Sequence, residues 1–321
     1  MKDISKVMHP VYLPFSEVQL KSHFADVRKN EKCLRSAYRY IGYYKKSLEK
    51  YAAYLSETQD IFGKPMAELR KPCQVEKDEK FWIIACMMAL FHSSNRTRQL
   101  SNLLTRAYGN SPPLADAHSW GEYVRGDLRL YFEPSLPCPP SYKTWLNANL
   151  RKRHLIPHVL VSAEGKKILE GPTNVDAMLL NANTGFSVIM QAKVLSDISY
   201  HTTYDIIRNQ IARNVDVMLE SDESLCDPLD KRDPDKTLFL LITPKIFKDN
   251  PASRLYGFKM KVYKTHPTSL ERDLPHRTGC DWKNLSRRLG WLTWEDFKEV
   301  NSYCCTWLKK QAEQTESIPY F

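Results

Sequence analysis

Asp176, Gln191 and Lys193 are a carboxylate, an amide and an ammonium at a spacing that can bring them to one divalent ion. Side chains two apart on a strand share a face, so Gln191 and Lys193 project together if GFSVIMQAKV is extended. Ile189 shares that face, while Met190, Ala192 and Val194 point the other way. The run 175–180 pairs with 186–194 as a hairpin across NANTG, whose residues tolerate positive φ. Asp176 then lies beside the Gln191–Lys193 pair. Mg²⁺ takes hard oxygen ligands and keeps several waters, so Asp176 and one or two further oxygens would hold it on a phosphodiester. Glu170 is the nearest second carboxylate, and the backbone carbonyl of Ala192 and the amide oxygen of Gln191 are further ligand candidates. Gln191 and Lys193 would position the attacking water, and Lys193 can also neutralise the charge that develops on phosphorus. The plainer readings are a turn-capping Asp176 and a structural Lys193–Asp176 pair.

Neighbouring polar residues carry two readings each. Asp197 either adds a ligand or caps the next helix, and capping is the commoner role of an Asp there. Arg208, Gln210 and Arg213 would contact phosphates or brace the site, or else line a solvated helix face opposite Ile207, Ile211 and Val215.

Several elements must position these groups. A helix after Ser141 shows Tyr142, Trp145, Leu146 and Leu150 on one face, and the short apolar runs 158–162, 175–180 and 186–194 read as strands. A helix with Tyr204, Ile207, Ile211, Val215 and Met218 follows, and then the continuous apolar run 238–242 of a central strand. The order is helix, three strands, helix, strand: an α/β core with helices on a mixed sheet. The first third reads as helical. It holds a tyrosine stripe (Tyr40, Tyr44, Tyr51, with Leu48 and Leu55), an apolar helix at 81–91, and a helix through Leu100, Leu103, Leu104 and Ala107 that stops at Gly109. The Pro-rich SLPCPPS separates a helical region, 1–136, from a core region with a C-terminal helical extension, 137–321. Near the end, WKNLSRRLGWLTWEDFKEV has a helix-turn-helix flavour, with Thr293 and Asp296 in capping-box register. Arg287 and Arg288 would read DNA there, or the tryptophans would simply pack.

The string EGPTNVDAMLLNANTGFSVIMQAKVLSDIS resembles the active-site hairpin of the PD-(D/E)XK nuclease superfamily, the restriction-endonuclease-like fold. It is most similar to the QxK branch, which includes Mrr-type restriction enzymes. The resemblance spans about 141–242. It implies an α-β-β-β-α-β core and Mg²⁺-dependent phosphodiester hydrolysis, with Mn²⁺ able to substitute. Asp176 is then the metal ligand, Gln191 the variant position and Lys193 the catalytic lysine. Members often carry a glutamate on the first core helix. The helix at 141–153 has none, which leaves Glu170, or else Glu133 or Glu122, to supply it.

The composition of this 321-residue chain agrees with such a partner: a net charge of +10 favours a polyanion, since each neutralised phosphate releases a counterion. DNA is expected ahead of RNA, with a homodimer to cut both strands, in a restriction or genome-defence role. A fold retained without turnover is the alternative. Eight cysteines without CxxC spacing argue against structural zinc, and the neighbours Cys304 and Cys305 invite a redox reading beside a packing one. No Gly-rich phosphate loop is present. The longest apolar run, 81–91, is too short to span a bilayer, and the first residues lack a signal-type stretch, so a cytoplasmic protein is expected.

Overall fold

A five-stranded mixed sheet forms the centre of the computed structural model, which describes residues 15–24 and 78–305 except 117, 155, 167, 200–203 and 222–224. The tyrosine stripe lies outside the described residues. In chain order the elements that matter are α1 (Glu79–Phe91), α2 (Arg96–Tyr108), β1 (Leu128–Phe132), α3 (Pro140–Arg153), α4 (Pro157–Ala163), β2 (Ala177–Asn181) and β3 (Ser187–Ala192). They continue with α5 (Gln210–Met218), β4 (Thr237–Thr243), α6 (Lys245–Asp249), α7 (Leu255–Thr265), β5 (Leu289–Thr293) and α8 (Trp294–Val300). The strands stand in the order β1-β2-β3-β4-β5. The first three are antiparallel, and β4 and β5 run parallel to β3.

Alternation along the strands divides the core into two layers. Leu130, Leu179, Val188, Met190, Leu240 and Ile242 pack beneath α1, α2 and α8. Met178, Leu180, Ile189, Phe239 and Leu241 pack beneath α5 and α7. Strand β4 is covered on both faces along its whole length, as its unbroken apolar run requires. Helix α1 is buried nearly all round, and α2 ends at Gly109 with φ +93°, both as read from the sequence. No helix among the described residues is long and apolar enough to cross a membrane.

The structure corrects several elements. The run 158–162 is helix α4, not a strand: Pro157 opens it, where a missing N–H costs nothing, and Val161 is 64% exposed. The third antiparallel strand is β1, from the region expected to be all helical. It pairs with β2 from Leu128↔Asn181 to Phe132↔Ala177, so the sheet crosses the boundary expected at 136/137. The helix after the hairpin starts at Gln210, not near Tyr204, because the Asn209 side chain accepts the Ile211 and Ala212 N–H groups and sets the N-terminus there. The C-terminal segment is not a helix-turn-helix: Leu289–Thr293 is a strand between two helices, although the Thr293–Asp296 capping box forms. Arg288 is buried and donates to the Thr237 carbonyl at 2.9 Å, which removes it from any DNA-facing surface. Cys304 and Cys305 are core residues beside Cys86. Burial raises the Cys86 and Cys305 thiols above their ordinary range, which suits packing rather than redox chemistry.

Candidate active site

Asp176 sits one residue before β2, where its N–H donates to Met190 O at 3.1 Å and fixes it opposite the end of β3. Asp176 as a whole is only 6% exposed. Oδ2 accepts the Ala192 N–H at 2.7 Å and the Gln191 side-chain NH₂. Among the described residues Oδ1 accepts no hydrogen bond. Burial pushes the Asp176 pKa up to about 6, against the Ala192 hydrogen bond and the charges of Lys193 and Lys80, with Glu79 adding to the rise.

Gln191 is committed at both ends. An ionised carboxylate only accepts, so the amide turns its NH₂ toward Asp176. Its oxygen then accepts from Gln210 Nε2 at 3.0 Å and Asn214 Nδ2 at 3.1 Å, both on α5. Helix α5 thus orients Gln191, and Gln191 orients Asp176. Gln210 serves here as a brace rather than as a contact for nucleic acid.

Lys193 follows the last ladder pair, Ala192↔Ile242. Its N–H donates to Ile242 O at 2.9 Å, and its carbonyl accepts the Trp294 indole N–H at 2.9 Å. Since the Lys193 N–H points to β4, the trans peptide turns the Ala192 carbonyl the opposite way, to the Asp176 side. The Lys193 side chain is buried, and its Nζ lies 3.7 Å from Glu79 Oε1. Glu79 occupies the first turn of α1, just after the N-cap Asp78, and also accepts from Ser196 Oγ at 3.1 Å. Its neighbour Lys80 pairs with Glu133, whose backbone N–H donates to Asp176 O at 3.1 Å. The acid, the amide and the ammonium therefore gather at the end of the central strand β3, with Glu79 and the Lys80–Glu133 pair around them.

Glu170 does not join this group as expected. It is buried between Arg208 Nε at 3.1 Å and Arg213 Nε at 2.9 Å, so its charge is already compensated by two guanidiniums. Arg208 is 0% exposed, packs 3.6 Å over the Tyr142 ring and pairs with Asp216 at 2.7 Å. Burial works against the Asp216 carboxylate, yet the His276 hydrogen bond and the charges of Arg208 and Arg277 hold it well below the ordinary range. Arg208 is thus a buried strut, not a phosphate contact. Asp197 is a cap, but of the distant α7: it accepts the N–H groups of Leu255 at 2.7 Å and Tyr256 at 3.2 Å. Glu122 closes a capping box with Ser119.

For a magnesium ion the fit is partial. Asp176 Oδ1 and the Ala192 carbonyl are hard oxygens on one side of the strand end, and a carboxylate with a raised pKa gains from an added cation. Among the described residues, no group of three or more His, Cys, Asp or Glu side chains could hold a metal ion. An ion here would be held by few protein oxygens and would keep most of its water.

Sequence reading missed Glu79, Lys80 and Asn214. The triplet DEK before the apolar run 81–91 reads as an ordinary helix start, with an N-cap and an acid in the first turn. Asn214 carried a usable signal: it lies four residues after Gln210, so the two side chains share a helix face. Compared with protein families, curated proteins and solved structures, the chain matches none.

Proposed function

We propose that this protein is a Mg²⁺-dependent nuclease of the PD-(D/E)XK type, a DNA endonuclease of restriction or genome-defence character. The observation that carries the reading is the joint burial of Asp176 and Lys193 at one end of β3, with the Asp176 carboxylate oriented by Gln191. The succession α1, β1, β2, β3, α5, β4 supports it as an α-β-β-β-α-β framework with α2 inserted before β1 and α3 and α4 between β1 and β2; its first helix and first strand are not the ones expected from the sequence. Glu79 supports it too, because it places on the first helix of that order the carboxylate that the helix at 141–153 lacks.

Asp176 Oδ1 and the Ala192 carbonyl would hold the ion, with Glu79 the nearest further acid. When bound, the ion supplies Lewis acidity to a phosphoryl oxygen and a water of lowered pKa. Lys193 holds the attacking water or offsets the negative charge that grows on the nonbridging oxygens. Glu79, 3.7 Å away, aims that ammonium. Gln191 acts through Asp176 and is a positioning residue. Oligomeric state is part of the same proposal: a homodimer would present two such sites to the two strands of a duplex.

A second reading has its own observations. Glu170 is taken up by arginines and the Gln191 oxygen by two amides, which fits a nuclease fold that binds nucleic acid without cutting it. One experiment separates the two. Wild type and Lys193→Ala are incubated with supercoiled plasmid, single-stranded DNA and RNA, in Mg²⁺, Mn²⁺ or EDTA. Cleavage by wild type alone, abolished by EDTA, is the expected result. Binding without cleavage in either metal favours the second reading.

A further inference from the structure

On the nuclease reading above, we infer that the outer face of α6 and α7 grips an unpaired stretch of the nucleic-acid strand beside the scissile phosphate. Between 245 and 266 the chain carries six Lys or Arg and one acid, so this surface cannot balance its own charge. Lys245 is neutralised by Asp249 at 2.6 Å and Lys259 by Asp273 at 2.8 Å. Lys248, Arg254, Lys261 and Lys264 have no carboxylate partner among the described residues. Lys248 Nζ donates to the Trp291 carbonyl at 2.9 Å, and partial burial together with the Lys248 charge holds the Lys264 ammonium below its ordinary range. Like charges gathered without a counter-ion are an anion's complement.

The helix geometry sorts these groups. Tyr256, Met260 and Tyr263 face the core, which leaves Phe258 and Lys261 on the opposite stripe, with Lys264 at its margin; Arg254 is the extended N-cap residue and stacks its guanidinium 4.6 Å over the Phe247 ring. Phe258 is 53% exposed, with the exposed Lys261 one turn after it and Lys264 beyond. Phosphate contacts beside a bare aromatic ring are the arrangement on which an unpaired base stacks.

Two connections aim this surface at the site. Asp197, four residues after Lys193, caps the first turn of α7. Strands β3 and β4 are parallel and their ladder closes at Ala192↔Ile242, so α6, which starts at Lys245, leaves the same end of the sheet that holds Lys193.

The test is fluorescence anisotropy on labelled oligo(dT) and on a hairpin duplex, in EDTA so that nothing is cut. Wild type is compared with Lys261→Ala/Lys264→Ala and with Phe258→Ala. Two lost phosphate contacts should lower the salt slope by about 1.4 and weaken single-strand binding about 25-fold near 0.1 M salt. Phe258→Ala should lose about fivefold or more on oligo(dT) and nothing on the duplex. Circular dichroism and Tm report whether these surface variants fold. An unchanged slope, oligo(dT) bound equally by Phe258→Ala and wild type, or firmer retention on anionic phospholipid vesicles than on oligo(dT) would each overturn the inference. A wild type that cleaves but whose binding ignores these residues sinks this inference alone, whereas one that neither binds nor cleaves removes the nuclease reading as well.

Discussion

Replacing Asp176 with Asn tests the electrostatics of the site without any substrate. The folded carboxyl titrates at about 6 instead of its ordinary 3.8, because burial outweighs its hydrogen bond and the neighbouring ammoniums. Between those values the native protein keeps a proton that the unfolded chain has lost. Stability is therefore highest below the lower pKa and falls as pH rises through the folded one. A rise of roughly two pH units corresponds to about 3 kcal/mol, with roughly half of that lost above pH 5. The Asp176→Asn variant has no such titration, and its amide oxygen can still accept the Ala192 N–H, so its other effects are a constant offset. Urea unfolding of both proteins in EDTA from pH 5 to 8 should show the variant gaining on the wild type by about 1 to 2 kcal/mol across that range. Added Mg²⁺ at pH 8 should stabilise the wild type and leave the variant unmoved. Parallel pH profiles would refute the reasoning, for they would mean that Asp176 is solvated and unable to gather a cation.

Three other substitutions probe the supports of the site. Arg208→Ala leaves Glu170 and Asp216 buried without their shared guanidinium and should cost about 3–5 kcal/mol in urea unfolding; a loss below ~1 kcal/mol would show that the strut is dispensable. Gly290→Ala sets a methyl carbon 2.5 Å from the Tyr108 ring, whose hydroxyl is fixed to Phe239 O at 2.7 Å, and should lower stability by about 1–3 kcal/mol. An unchanged Tm would mean that Tyr108 moves freely. Gln191→Glu replaces the donor facing Asp176 with a second carboxylate. It should lower the Tm in EDTA at pH 8 and show a larger Mg²⁺-induced rise than wild type; a variant indifferent to Mg²⁺ would argue against a cation between these groups.

The sequence by itself determined the hairpin, the α/β class and the helix-then-strand order that follows, because each rests on local patterning. The short apolar runs 175–180 and 186–194, the turn NANTG and the unbroken apolar run of β4 leave few other conformations. Asp176, Gln191 and Lys193 were legible for the same reason: a two-residue period and a short turn fix their neighbourhood. Tertiary structure decided everything that arrives from a distance. Glu79 reaches Lys193 across more than a hundred residues, and no spacing rule links an N-terminal helix turn to a strand end that far along the chain. Strand β1 was hidden because five residues broken by Arg129 look like loop until β2 offers them a ladder. Glu170 looked like a ligand from its sequence distance alone. In the fold it is taken by Arg208 and Arg213, since a buried acid is settled by whichever cation the packing brings to it.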